Sequence, residues 1–459
     1  MKRATATELY ALAFGLFLGL CIWKFGNPVI LDHKILAPVS PAELWQEPWP
    51  LHWAKWFLLP LALAGAVLTF KFGGFREPSN RWLWLPPLAW LGWQVFAAGH
   101  SVDSDLTTAT LWQFSGCVAC YFLGAFLLAK RGLLPWLLAG ILAGFTLCLI
   151  RAVDQKFYEY PQSRQMLIEG ERSGWTNYPP VTVAAMRRDG IIITTNGTEL
   201  VNPLIMAKFE KGRVSGTMVY PNALAGLILL LWPVSLALAF NSTKRLKPAI
   251  RWLTIALTIF VGAAALIGSG SKFGLLISLG VAGLFLLRLN WAPRLKMVAV
   301  AVMLTFGLTV FAVRFHHYFS LGATSATARL DYWRAAVETT AANPLLGSGP
   351  GTFQRPYARI KTPESEMARL THNDYLEQFS DSGIIGGLSY LAWIVLVFVT
   401  LKRRIWEHAG PIPFALFAGA IGWFVQGFGE FSLYIPALAW TAFTLLGLLV
   451  GLKPNQFDK

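Results

Sequence analysis

Four side chains in this 459-residue sequence have types and positions that could do chemistry together: Arg213, Lys272, Arg329 and His372. Arg213 precedes "SGTMVYPNALAG", Lys272 closes "GSGSK", and Arg329 lies in "TSATARLDYWRAAVETTAANP". His372 opens "HNDYLEQFSDSGIIGG". Taken singly, each is an interface anchor whose charged head snorkels to the membrane surface. Taken together, three cations beside short rigid turns suit a phosphate or pyrophosphate group. A neutral imidazole next to them suits proton transfer near neutral pH. His372, Tyr375, Leu376 and Phe379 are spaced i, i+3, i+4, i+7, which predicts one face of a short helix ended by Gly383. On such a helix Asp374 would not face His372, two residues away. Glu430, in "GFGEFSLYIP", either hydrogen-bonds a substrate or sits in the headgroup zone.

What must position these residues is a membrane domain. The chain is 55% hydrophobic and 14% charged, with a mean hydropathy of +0.50, whereas a soluble domain carries about a quarter charged residues. Apolar runs long enough to cross a bilayer recur from end to end. Twelve spans are predicted: 5–23, 53–71, 82–99, 107–129, 133–151, 219–240, 252–268, 273–289, 297–313, 383–401, 411–429 and 434–452. The fold class is therefore an all-α integral membrane protein. Twenty tryptophans fit that class, because indole prefers the membrane–water interface.

The net charge of +15 is explained by topology. With both termini cytoplasmic, the short inner segments hold Lys2, Arg3, Arg76, Arg81, Lys130, Arg131, Lys244, Arg245, Lys247, Arg251, Arg294, Lys296 and Lys402 to Arg404. The outer segment "HSVDSDL" holds no Lys or Arg. This is the positive-inside bias, and it argues against a nucleic-acid partner. The first apolar run lacks a small-residue cleavage site, which predicts a retained helix. Cys21, Cys117, Cys120 and Cys148 fall in apolar runs and read as packing residues, the C-x-x-C spacing included.

Five segments follow: membrane helices over 1–151, a periplasmic loop over 152–218, membrane helices over 219–313, a second periplasmic loop over 314–382, and membrane helices with a cytoplasmic tail over 383–459. "GIIITTNGTELV" predicts a small β segment in the first loop, with an Asn-Gly turn. The second loop is predicted helical, with Leu330, Trp333 and Val337 on one face and Pro344 beyond its end. "GSGPG" at 347–351 predicts tight turns. Signatures of soluble metalloproteases, hydrolases and P-loop enzymes are missing. Charge is nearly absent from the middles of the spans, whereas transporters usually place ionisable sites near the midplane. That favours a one-sided enzyme over the alternative, a glycolipid flippase or other transporter.

"GRVSGTMVYPNALAG", "GSGSK", "ARLDYWRAAVETTAANPLLGSGPGTF" and "THNDYLEQFSDSGIIGG", in this order and topology, resemble the O-antigen ligase and O-antigen polymerase superfamily. The resemblance implies a membrane glycosyltransferase of the bacterial inner membrane with its active site facing the periplasm. It implies transfer of a glycan from undecaprenyl diphosphate to an acceptor glycolipid or a growing polysaccharide. It implies no metal, nucleotide or other cofactor. His372 is then the catalytic base, Arg213, Lys272 and Arg329 bind the diphosphate, and Asn222, Asn373 and Glu430 bind the acceptor or support the site. Lys272 stands where the family commonly has arginine, keeping the charge but giving up the bidentate fork.

Overall fold

The structure, a computed structural model, describes residues 5–72, 81–130, 132–195, 197–320, 324–363 and 365–452. Lys2, Arg3, Arg76, Arg131 and the turn residue Asn196 lie outside the described residues, as does the side chain of Arg81.

The chain opens with α1 (Ala6–Lys24), capped by Thr5 and Glu8, which bond each other's backbone ends. A short α2 (Pro41–Gln46) and the long α3 (Leu51–Phe72) follow. Next come α4 (Leu85–Ala98), α5 (Ser104–Leu123) and α6 (Leu134–Asp154). A π turn at Gln155–Glu159 carries α6 into α7 (Tyr160–Arg172), whose first turn holds Pro161, where the missing amide costs least. The helix thus runs past the span end expected at residue 151. α8 (Pro180–Arg188), the antiparallel pair β1 (Ile192–Thr195) and β2 (Thr198–Val201), and α9 (Pro203–Lys211) complete the first excursion. The expected β segment is present, and the excursion buries its own apolar cluster of Leu167, Trp175, Val183, Met186, Ile192 and Val201.

The second half contains α10 (Pro221–Ser242), α11 (Pro248–Ser269), α12 (Lys272–Arg288) and α13 (Pro293–Ser320). It continues with α14 (Thr324–Ala342), α15 (Gln354–Ile360), α16 (Asp374–His408), α17 (Pro411–Gln426) and α18 (Pro436–Gly451). α16 breaks at Ser382 and Gly383, where Gly383 takes φ +69°. The break separates a polar helix from an apolar one, as the position of Gly383 predicts.

Among the described residues, eight helices are long and apolar enough to cross a membrane, and α17 and α18 are shorter apolar helices. All four cysteines are buried and unlinked. The bundle closes around α18, buried along its length and packed against α1, α5 and α17. α1 and α6 meet through two G-x-x-x-G faces, Gly15/Gly19 and Gly140/Gly144. A Cβ on Gly19 would lie 2.3 Å from the Gly140 carbonyl oxygen. Without a hydrophobic drive between helices in lipid, such close backbone approach is what holds a helix pair together.

Candidate active site

The site is assembled from the ends of five helices. The "GSGSK" turn shows how. Gly270, at φ +59°, ends α11 in the left-handed conformation that glycine tolerates. Ser271 then caps α12 by accepting from the Gly274 amide, which makes Lys272 the first residue of that helix. A cation at a helix N-terminus opposes the helix dipole, so both favour an anion placed beyond them. The carbonyl of Ser269 in the same turn accepts a 2.8 Å hydrogen bond from Arg213 Nε.

His372 departs from its expected place. Asn373 Oδ1 accepts from the amides of Tyr375 and Leu376, so α16 begins at Asp374 and His372 precedes it. Capping by Asn373 outcompetes the extra helical turn that the apolar spacing suggests. The Thr371 hydroxyl donates to the Asn373 carbonyl at 2.8 Å and accepts from the Asn373 amide at 3.1 Å. This pinches His372 into the apex of a turn at φ +53°. A non-glycine residue there costs about 1–3 kcal/mol and persists only when its surroundings over-determine it.

Glu430 is the hub. Its side chain is 1% exposed, enclosed by protein. Oε1 accepts from Asn222 Nδ2 at 2.7 Å and from Arg329 Nη2 at 2.5 Å. Oε2 accepts from the Tyr220 hydroxyl at 2.9 Å and lies 3.5 Å from His372 Nδ1. That last separation is longer than a hydrogen bond, though catalytic contacts often tighten only with substrate bound. Arg213 Nη2 donates to Asn222 Oδ1 at 2.8 Å, so Asn222 links Arg213 to Glu430. Burial lowers Arg213 from the usual guanidinium range, with the Glu430 carboxylate opposing that shift. The imidazole packs edge-on against Phe431 at 4.7 Å and stacks with Tyr332 at 6.0 Å.

A cavity of about 630 Å³ opens beside this cluster, lined by Arg329, His372, Asn222, Tyr332, Asp331 and Glu366 among others. Arg213, Asn222, Arg329, His372 and Glu430 are thus brought together. Lys272 is not in the cluster: its ammonium rests 3.9 Å above the Tyr318 ring and 5.1 Å from that of Phe315. It remains within electrostatic reach of Arg213 and Arg329. Asn373 serves as the helix cap. Asp374 accepts from the Leu433 amide and not from His372, in line with the expectation that it does not orient the imidazole. Asp374, Glu377 and Asp381 on this helix are buried. In α14 the buried face is Tyr332, Ala335, Ala336 and Thr339, while Leu330 and Val337 are exposed. On that face Tyr332, Ala335 and Ala336 form one buried cluster with Phe353 and with Tyr357 of α15, and Leu376 of α16 packs against it. The "GSGPG" loop turns tightly as expected, with Gly347, Gly349 and Gly351 all at positive φ.

Two site residues escaped the sequence reading. Tyr220 stands inside "VYPNALA", two residues before Asn222. Tyr332 follows Arg329 by one helical turn, and that spacing places both on one face of α14. Among the described residues no group of His, Cys, Asp and Glu is arranged to hold a metal ion.

The family model for O-antigen ligase matches residues 255–391. That stretch is O-antigen ligase-like. The match supports a likeness to the O-antigen ligase-like superfamily over that stretch. It spans the turn with Lys272, α14 with Arg329 and the turn with His372, and omits Arg213, Asn222 and Glu430. No curated protein matches the chain.

Proposed function

We propose that this protein transfers a glycan from undecaprenyl diphosphate to an acceptor sugar at the periplasmic face of the inner membrane, without metal or nucleotide. The observation that carries the reading is the Glu430 hub, which gathers Arg329 and His372 at one cavity inside or next to the family-matched segment. Arg329 pairs with that one buried carboxylate, Arg213 is linked to it through Asn222, and Lys272 lies within electrostatic reach of both arginines, an excess of positive charge that suits a diphosphate. The twelve spans, both termini inside and the two periplasmic loops complete the proposal.

The chemistry follows from the geometry. The acceptor hydroxyl oxygen attacks the anomeric carbon as the bond from that carbon to the diphosphate oxygen breaks. The electron pair leaves with the lipid diphosphate, where Arg329 and Arg213 stabilise the developing charge. The hydroxyl proton passes to Nε2 of His372, because Glu430 faces Nδ1 and favours the tautomer with its proton there. The buried Glu430 carboxylate then stabilises the imidazolium. Attack opposite the leaving group inverts the anomeric centre.

Purified protein in liposomes, given undecaprenyl-diphosphate glycan and acceptor, should yield glycosylated acceptor and free lipid diphosphate. Movement of the lipid-linked glycan across the bilayer with no covalent product would support a transporter instead. Product length separates ligase from polymerase: one joining event against a ladder of repeats.

A further inference from the structure

A second cavity, of about 530 Å³, is lined by Trp23, Trp45, Glu47, Asp154 and the backbone segment 215–219, among others. It is built rather than incidental. The buried Lys24 ammonium at the end of α1 donates to the carbonyls of Trp45 and Glu47 and so clamps the segment after α2 over the helix end. The same ammonium lies 4.4 Å from the centre of the Trp23 ring, and Trp45 packs edge-to-face with Trp23 at 4.2 Å. Trp45 is nonetheless 60% exposed, so much of its indole surface faces out.

On the opposite wall, Gln155 Oε1 accepts from the amides of Ser215 and Gly216, and its Nε2 donates to the Gly216 carbonyl. Thr217 donates to the carbonyl of Ile22 at 2.6 Å, and Val219 bonds Gly26. The segment 215–219 is therefore a fixed rail, and it is the stretch of chain between Arg213 and Tyr220 of the active site. Charge sets this cavity apart from the first. Its lining cation, Arg151, is already engaged by Asp154 and by Glu159 at 2.7 Å, and Glu47 adds a further carboxylate. A phosphate is disfavoured there. The exposed indole of Trp45, which can take the apolar C–H face of a ring, combined with carboxylate and carbonyl acceptors for hydroxyl groups, is complementary to a neutral or amino sugar.

We propose that this cavity is a saccharide subsite, which holds sugar residues of a glycan chain remote from the reacting ring. The proposal rests on the glycan-transfer reading, and it names a place for the part of the substrate that does not react. The chain bound is either the donor glycan or a growing acceptor, and both present the same chemistry.

The test separates binding from transfer. Full-length protein in detergent is titrated calorimetrically with oligosaccharides released by mild acid from the host's own envelope polysaccharide. Binding should weaken about tenfold in Trp45→Ala, and Trp45→Phe should recover part of it. His372→Gln should bind as the wild type does, so a failure of the proposed chemistry leaves this result standing. In the transfer assay Trp45→Ala should raise KM about tenfold for long glycans, with kcat and the KM for a single repeat unit unchanged. Whether the donor-length or the acceptor-length series carries that rise assigns the source. Equal oligosaccharide affinity in wild type and Trp45→Ala, or no binding by the wild type at millimolar concentration, would overturn the subsite.

Discussion

The two cavities share the arm 212–222 and differ in nearly everything else. One gathers Arg329 and His372 around a buried acid that also takes Tyr220 and Asn222, and its imidazole sits at a strained backbone position. The other is walled by indole and by carboxylates, with its single cation neutralised. The difference is one of chemistry against grip. Fixed charge in a poorly hydrated place is suited to a transition state that develops charge. A fixed aromatic and acidic wall is suited to neutral sugar that stays unchanged throughout. A glycan-transferring enzyme needs both, because binding energy from remote parts of a substrate can be spent on orienting the reacting part.

The largest expected effect breaks the hub. Glu430→Ala leaves Arg329 without its buried partner, and loss of one member of a buried pair costs about 3–5 kcal/mol. A lowered thermal midpoint in detergent and transfer below detection are the outcomes to measure; unchanged stability would show that the hub is not structural. Arg329→Ala should come next, with a loss of about 10² to 10³ in rate. Arg329→Lys should recover only part, since a point charge replaces the fork. Lys272 should matter least, because its ammonium sits over the aromatic rings of α13 and acts on the site at a distance. Lys272→Gln is expected to cost about tenfold or less, the size of one partly screened charge interaction. A loss as large as that of Arg329→Ala would move Lys272 into direct contact with the diphosphate.

Much of this was legible in the sequence, and for definite reasons. Apolar run length marks helices, so each predicted span falls on one. Gly383 marked the break in α16, and β-branched residues around the turn at 196–197 marked the hairpin. Tyr220 escaped, but Arg213, Asn222, Arg329, His372 and Glu430 were also legible, as polar and charged residues at span ends. Their connection was not. Glu430 lies some hundred residues beyond Arg329 and more than two hundred beyond Asn222, and no local pattern reports a contact at that separation. The turn at His372 was misread because apolar spacing extends through it, and only the Thr371 and Asn373 side chains redirect the backbone. The rotation of α14 was misread because alanine carries little pattern, although Ala335 and Ala336 are on the face that α14 buries.

The proposed placement of both cavities on the periplasmic side has its own check. Leu204 and Met367 are exposed, at 80% and 50%, and lie in the two excursions. Cysteines there should react with an impermeant thiol reagent in intact spheroplasts, while the four native cysteines are buried. Gly351 is a poor site for such a probe, because a Cβ there would lie 2.0 Å from the Thr110 hydroxyl. Labelling that appears only after lysis would invert the topology and contradict the periplasmic assignment.

The central claim is that His372, oriented by Glu430, takes the acceptor proton. The direct measurement is single-turnover transfer from purified undecaprenyl-diphosphate glycan in liposomes, comparing wild type with His372→Gln. Glutamine keeps the size and hydrogen bonding of the side chain but accepts no proton at neutral pH. The account predicts a loss of about 10² to 10⁴ in rate with donor affinity little changed. A correctly inserted His372→Gln protein that turns over at near the wild-type rate would contradict it and leave His372 as a packing residue.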